Sequence, residues 1–392
     1  MTTASADRGT SWLREGAASG SLHTIRLAWS DRLGGWRGKR LPVERFIDSP
    51  DARMGFCDGM IVVDVNCDVI EATPFSNFST GYPDMYLRPR PETIGPVGWA
   101  PGEAFVLGTL EDHAGNPLEV APAHVLERVL ARLTEAGATV SASLTLSGRL
   151  MLTPTEPVPL LPDGKPLDAT AAPVLTLAAD GLVESGVPVR SVAAERDGTF
   201  EISLGALPAT AAAEASVMSK AALKELATLA GQQATFMTRM PDLERPSTLR
   251  MDVALEGAGD LDEPGLASTT AAVRGLLQPS VNAFKAGPPQ VARTDGGFRL
   301  TASSEADPFT AIAASLAAAW VSLDAGAAVA AAGSSGAPTL DAAVDDLAAA
   351  DWAGEWLGER FLENAIPLLR NELELFSEAV TDWELDRYWS AS

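Results

Sequence analysis

The sequence predicts an α+β protein: a small, mostly β module up to about residue 120, then a larger block in which strands and long helices are mixed. Three observations predict it. Residues 22–29 and 104–110 alternate with strand periodicity and are separated by Gly, Asp and Asn turn signals. From residue 124 the apolar positions Val125, Leu126, Val129, Leu130 and Leu133 change to helical spacing. Beyond them, strand-like segments at 139–152, 200–204 and 250–255 are interspersed with helical segments at 211–230, 309–323 and 355–380.

Taken in order, residues 1–20 are small, polar and rich in Gly and Ser, which predicts a flexible terminus. In 22–29, Leu22, Thr24, Arg26 and Ala28 alternate with His23, Ile25, Leu27 and Trp29. The DRLGGWRG stretch at 31–38 has the glycines of a hairpin turn. A strand is expected at 60–65 and another at 104–110, closed by the turn signal at 112–116. The helix at 124–136 ends at Gly137. Residues 139–152 read as a strand pair around Ser147 and Gly148, and the Pro-rich 153–173 as a linker. The Ala/Gly/Ser stretch at 324–338 reads as a flexible crossing before the last long helix at 355–380. There is no internal repeat.

Composition bounds the function. A chain of 392 residues with 46% hydrophobic content can form two packed domains. The longest apolar stretch, 311–321, is too short to cross a bilayer, and the N-terminus carries Asp7, Arg8, Arg14 and Glu15 without an apolar run, so a cytoplasmic protein with no membrane partner is expected. Cys57 and Cys67 lie in a strand-like segment and read as buried thiols, in keeping with a reducing compartment. A net charge of −23, with no compensating Lys/Arg cluster, argues against nucleic acid. His23, His113 and His124 form no triad or metal spacing. Gly34-Gly35 and the glycines at 333–336 lack the Lys-Ser/Thr ending of a phosphate loop. Trp352, Trp356, Trp383 and Trp389 read as packing or subunit-contact residues rather than a base-stacking surface.

Several collinear stretches then carry a resemblance. TIRLAWSDRLGGWRGKRLP, TGYPDM at 80–85 and GWAPGEAFVLGTLEDHAGNPLEVAPAHVLERVL are followed by DGTFEISL, KELATLAGQQATFM, DPFTAIAASLAAAW and VTDWELDRYW. Together they resemble the glutamine synthetase family, and within it the branch that ligates glutamate to amines and polyamines. The resemblance implies a β-grasp N-terminal domain at 21–120 and a large antiparallel-sheet and helix domain at 121–392. It also implies ATP, two divalent Mg or Mn ions and a γ-glutamyl phosphate chemistry.

The residues that would perform that chemistry are largely replaced. The family's two metal-binding glutamates on the strand after the first large-domain helix correspond to Ser143 and Thr145. Glu201 matches a further metal glutamate and remains as a remnant or as a solvated strand carboxylate; Glu195 stands at least one residue too near to match its companion. The position of the family's metal-ligating His holds Arg250. Two unit charges about 4 Å apart repel by about 4 kcal/mol at an effective dielectric of 20, and a divalent ion doubles that. The glutamate-gripping Arg corresponds to Ala286, and most of the arginine-bearing phosphate loop between Pro289 and Arg299 is missing, with Arg293 and Arg299 as displaced survivors or plain surface residues. Arg250 is expected to pair with Glu201 in place of a metal.

The resemblance together with these losses predicts no catalytic, metal or cofactor site, and a structural or regulatory subunit. In the family, subunits form rings, and each site lies between the N-terminal domain of one subunit and the large domain of its neighbour. Asp84, in TGYPDM, corresponds to a position close to the amine entrance. The expected partner is therefore an active glutamine synthetase-like paralogue, or further copies of this chain. The alternatives are an active ATP-dependent glutamate–ammonia or glutamate–amine ligase, and a scaffold or small-ligand-binding module.

Overall fold

Two sheets organise the chain, and each has a core of its own. A computed structural model describes residues 3–160, 173–195, 197–240, 245–259, 261–325 and 337–389. Helix α1 (Thr3–Ser19) precedes strands β1 (Thr24–Ser30) and β2 (Trp36–Pro42), helix α2 (Val43–Asp48), and strands β3 (Met54–Cys57), β4 (Asp84–Pro89), β5 (Gly95–Pro96) and β6 (Glu103–Glu111). The first sheet has the order β2-β1-β6-β4-β3, with β5 also paired to β6. The β1–β6 pair is parallel and the others are antiparallel. Its buried side contains Ile25, Leu27, Trp29, Val43, Phe46, Met85, Leu87 and Val106.

The second sheet is built after α3 (Pro122–Glu135). Strands β7 (Thr139–Thr153), β8 (Glu156–Pro157), β9 (Val189–Ala194), β10 (Thr199–Leu204), β11 (Leu207–Pro208), β12 (Gln233–Thr235), β13 (Thr248–Glu256), β14 (Gln290–Thr294) and β15 (Gly297–Ser303) contribute. The order is β14-β15-β13-β7-β10-β9, with β8, β11 and β12 paired to the long β7, and every one of these pairings is antiparallel. Helices α4 (Pro173–Glu184), α5 (Ala209–Leu229), α6 (Glu263–Ala272), α7 (Arg274–Leu277), α8 (Val281–Phe284) and α9 (Pro308–Ala325) belong to the same unit. The chain continues through α10 (Leu340–Ala349), α11 (Asp351–Leu357), α12 (Glu359–Glu378) and α13 (Asp382–Tyr388). Alternation gives the sheet one apolar face: Leu144, Leu146, Phe200, Ile202, Leu249 and Met251 are buried with Ile312 and Leu316 of α9 and Leu223 of α5. The architecture is therefore α+β, as the sequence predicts.

Helix α5 joins the two sheets through buried charge. Arg26 of β1 donates to Glu103 and to Glu225 of α5, each at 2.6 Å, and Trp99 Nε1 donates to the other Glu225 oxygen at 2.9 Å. Arg90 pairs with Glu214, also on α5. Lys220 Nζ donates to Ser304 O at 2.8 Å, and burial pushes its amine down to about 8. Asp307 accepts from Thr310 N–H at 2.7 Å at the start of α9, and burial pushes its carboxyl up to about 6. The two groups share a buried junction, where charge is costly on either.

Five expectations need correction. Residues 3–19 form a helix, because Leu13 is fully buried and Gly16 lets Leu22 pack against the helix where a Cβ would lie 2.4 Å from its Cδ1. Both cysteines are exposed: Cys57 ends β3 at the sheet margin, and Cys67 sits in a turn at φ +69°. Residues 60–65 are not a strand; Asp58–Ile61 is a 3₁₀ turn, and Ile61, Val62 and Val63 are buried without entering a sheet. Residues 139–152 are one strand rather than a pair. Gly148 is there for close approach, since a Cβ would lie 2.7 Å from the Phe200 ring and from Thr235 O. The last helix is broken at Gly358, whose φ of +102° suits glycine and separates α11 from α12. Residues 161–172 of the linker and 326–336 of the crossing lie outside the described residues. Among the described residues, no helix is long and apolar enough to cross a membrane.

Candidate functional site

The other face of the second sheet is polar, and register explains why its side chains meet. Strand alternation sends Ser143, Thr145 and Ser147 of β7 to this face. The β7–β13 register sets Thr145 opposite Arg250 and Ser143 opposite Asp252. The β7–β10 register sets Thr145 opposite Ser203 and Ser147 opposite Glu201. Arg299 of β15 faces Asp252.

Arg250 is the hub. Its Nη2 donates to Thr145 Oγ1 at 3.1 Å and stands 3.6 Å from Glu201 Oε1, while its Nε is 3.9 Å from Asp252 Oδ2. Asp252 Oδ1 in turn accepts from Arg299 Nε at 2.6 Å. The hydroxyls continue the network: Thr145 and Ser203 are 3.1 Å apart, and Ser147 Oγ accepts from Thr248 N–H at 2.7 Å. The Arg250 and Glu201 side chains are 38% and 43% exposed, so solvent screens their attraction. Chemically, the cluster presents compensated charge: two guanidiniums, two carboxylates and a row of hydroxyls.

Four positions singled out in the sequence thus lie on one face: Ser143, Thr145, Glu201 and Arg250. Asp84 and Ala286 belong to other elements. Asp84 opens β4 and lines a cavity of ≈ 490 Å³ with Asp58, Asp112, His113 and Glu363. Burial raises the Asp58 carboxyl, a shift opposed by the Ser76 hydroxyl that donates to it at 2.6 Å. Ala286 follows α8, in the turn where its N–H bonds Ala283 O at 3.2 Å. Sequence reading missed Asp252 and the role of Arg299. The available signal was alternation, which puts Asp252 on the face of Arg250. Among the described residues, no group of three or more His, Cys, Asp or Glu side chains is placed to hold a metal ion.

Known proteins resemble the chain in sequence and in fold. The γ-glutamylethanolamide synthetase GlnA4 of Streptomyces coelicolor is 26% identical over 302 residues, which cover 68% of this chain and 64% of that protein. The glutamate–isopropylamine ligase of a Pseudomonas species is 24% identical over 235 residues, 56% of this chain and 51% of the ligase. The chain is similar in sequence to γ-glutamyl amide-forming synthetases and glutamate–amine ligases. The γ-glutamylanilide synthase of an Acinetobacter species adds a third glutamylamine-forming relative, 22% identical over 256 residues. The chain thus spans between half and about two-thirds of the curated relatives it matches. No family model matches it. In fold the likeness is fuller. The structure titled apo GmaS without ligand superposes with a TM-score of 0.74 at 19% identity, over 96% of this chain and 98% of that one. A glutamine synthase homolog superposes with the same score at 17% identity, over 94% and 98%.

Proposed function

We propose that this glutamine synthetase homologue is catalytically silent and serves as a structural or regulatory subunit. It assembles in a ring with an active γ-glutamyl amine ligase, or with copies of itself, and lends its N-terminal domain, residues 21–120, to a shared site; residues 121–392 act as scaffold. The observation that supports silence is Arg250. Its guanidinium lies 3.1 Å from Thr145 and 3.6 Å from Glu201, among the positions where the resemblance puts metal ligands. The donor set does not fit a divalent cation. Such ions take several hard oxygen ligands each, whereas here Glu201 and Asp252 already face guanidiniums, and Ser143 and Thr145 bring no charge. Without the metal pair, the clamp on a transferring phosphoryl group is missing.

The lent half is the better preserved one. Asp84 keeps its place in TGYPDM and lines a cavity with three further carboxylates and one guanidinium, Arg360, a lining with an excess of carboxylates that suits a cationic amine. The relatives' names point to primary amines as the class the partner would glutamylate: ethanolamine and isopropylamine, which are cationic near neutral pH, and aniline, which is neutral there.

Two measurements test the proposal. The purified chain, given ATP, glutamate, Mg or Mn and those three amines, is expected to form no γ-glutamyl amide above a protein-free blank and to bind no ATP in a metal-dependent way. Turnover would make it an active ligase and overturn the reading. Native mass spectrometry of the protein from its own cells is expected to find a ring, mixed with an intact ligase or made of this chain. A monomer would remove the subunit role.

A further inference from the structure

Three indoles that take no part in the polar face meet on the helix side of the large sheet. Trp320 near the end of α9 and Trp352 and Trp356 of α11 line a cavity of ≈ 530 Å³ with Arg132, Glu135 and Glu355. The Trp320 and Trp356 rings are 6.5 Å apart, centroid to centroid, and inclined by 47°, so they form two walls of an open wedge rather than a stack. Trp320 and Trp352 are half-buried, and their fixed position follows from packing against the main core.

The cavity already holds one cation, from the protein itself. The Arg132 guanidinium lies 4.4 Å over the Trp356 ring, donates to Glu355 O at 2.6 Å and pairs with the Glu355 carboxylate. An indole face carries the negative lobe of its quadrupole, so this contact is attractive. One guanidinium leaves the lining with a surplus of negative character, because Glu135 and Glu355 bring two carboxylates. The C-terminal end of α3 at Ala136, the negative end of the helix dipole, adds to it.

We infer that this cavity binds a small alkylated ammonium cation of the tetramethylammonium or choline type. Anions are repelled by the two carboxylates. A small inorganic cation would keep its hydration shell, since the indoles offer it no lone pairs. An alkylated ammonium is weakly hydrated and spreads its charge over methyl groups, which can lie flat on the indole faces. The site shares no residue with the Arg250 cluster, so it stands or falls independently of catalytic silence.

Calorimetric titration of the full chain tests it. Tetramethylammonium and choline are expected to bind saturably at one site, with tert-butanol, a neutral molecule of similar shape, at least about tenfold weaker. Trp352→Ala is expected to weaken the cations by about tenfold and Trp352→Phe by no more than about threefold. Because truncating a half-buried indole can unfold the protein, Glu355→Gln provides a second reading; that side chain is 65% exposed, and its loss is expected to weaken binding several-fold. Equal affinity for tert-butanol, unchanged binding in Glu355→Gln, or no saturable heat with either cation would overturn the inference.

Discussion

The two faces of the large sheet are made by the same strands and differ in what each side chain depends on. On the helix side, Leu144, Leu146, Phe200, Ile202, Leu249 and Met251 are at most 1% exposed and interlock with α5 and α9. On the open side, Ser143, Thr145, Glu201, Arg250 and Asp252 are short or charge-compensated, and several are reached by solvent. The closed face fixes the fold through volume and leaves little freedom to substitute. The open face carries a lighter packing obligation, because Glu201, Arg250 and Asp252 are each about a third or more exposed even though Thr145 and Ser147 are buried, so its charged residues can change while the architecture stays. This explains how a chain keeps a TM-score of 0.74 to a structural neighbour at 19% identity.

The comparison breaks most sharply if a closed-face residue proves dispensable. Phe200 is 1% exposed and meets Phe236 edge-on, ring centroids 5.9 Å apart. Phe200→Ala is expected to cost about 3–5 kcal/mol in denaturant unfolding. A loss below about 1 kcal/mol would mean that the face is loosely packed.

A buried charge gives the next effect, and its sign can be worked out. Burial raises the Asp307 carboxyl from 3.8 to about 6, against the opposing hydrogen bond from Thr310 and the charge of Lys220, while Asp31 adds to the rise. A group whose folded value is raised binds more protons when folded. Its contribution is complete below about pH 3.8 and is lost as pH rises through about 6. Asp307→Asn keeps an acceptor for Thr310 but does not titrate. Between pH 4 and 7 the wild type is therefore expected to lose on the order of 2 kcal/mol relative to the variant, measured by urea unfolding at each pH. A difference that stays level across this range would place Asp307 in contact with water.

Much of this was legible in the sequence, and the limits have physical causes. Alternation located β10, β13 and the body of β6, and helical spacing located α3, α5 and α9, because each pattern is local. Alternation also put Ser143 and Thr145 on one side. What a single strand cannot encode is which strand lies beside it. Thr145 and Arg250 are 105 residues apart in the chain, and their contact depends on the β7–β13 register. The Asp252–Arg299 pair was missed for that reason. The cysteines misled because a strand-like run says nothing of sheet margins, where Cys57 ends β3. The Gly/Ser-rich start misled because α1 owes its place to the partners of Leu13 and Leu22 rather than to propensity.

The smallest expected effect is the one that best separates the two faces. Arg250 and Glu201 are 3.6 Å apart, and both are more than a third exposed, so each retains much of its hydration. Their attraction is screened, and ordering two flexible side chains opposes it. A double-mutant cycle with Arg250→Ala, Glu201→Ala and the double variant is expected to give a coupling of about 0.2–1 kcal/mol, shrinking in 1 M NaCl. A coupling above about 2 kcal/mol that resists salt would mean that the pair is a structural pin, as enclosed as the side chains behind it. Arg250 would then be held in place by the fold itself. A small, salt-sensitive value would leave the open face free to change its residues without disturbing the sheet.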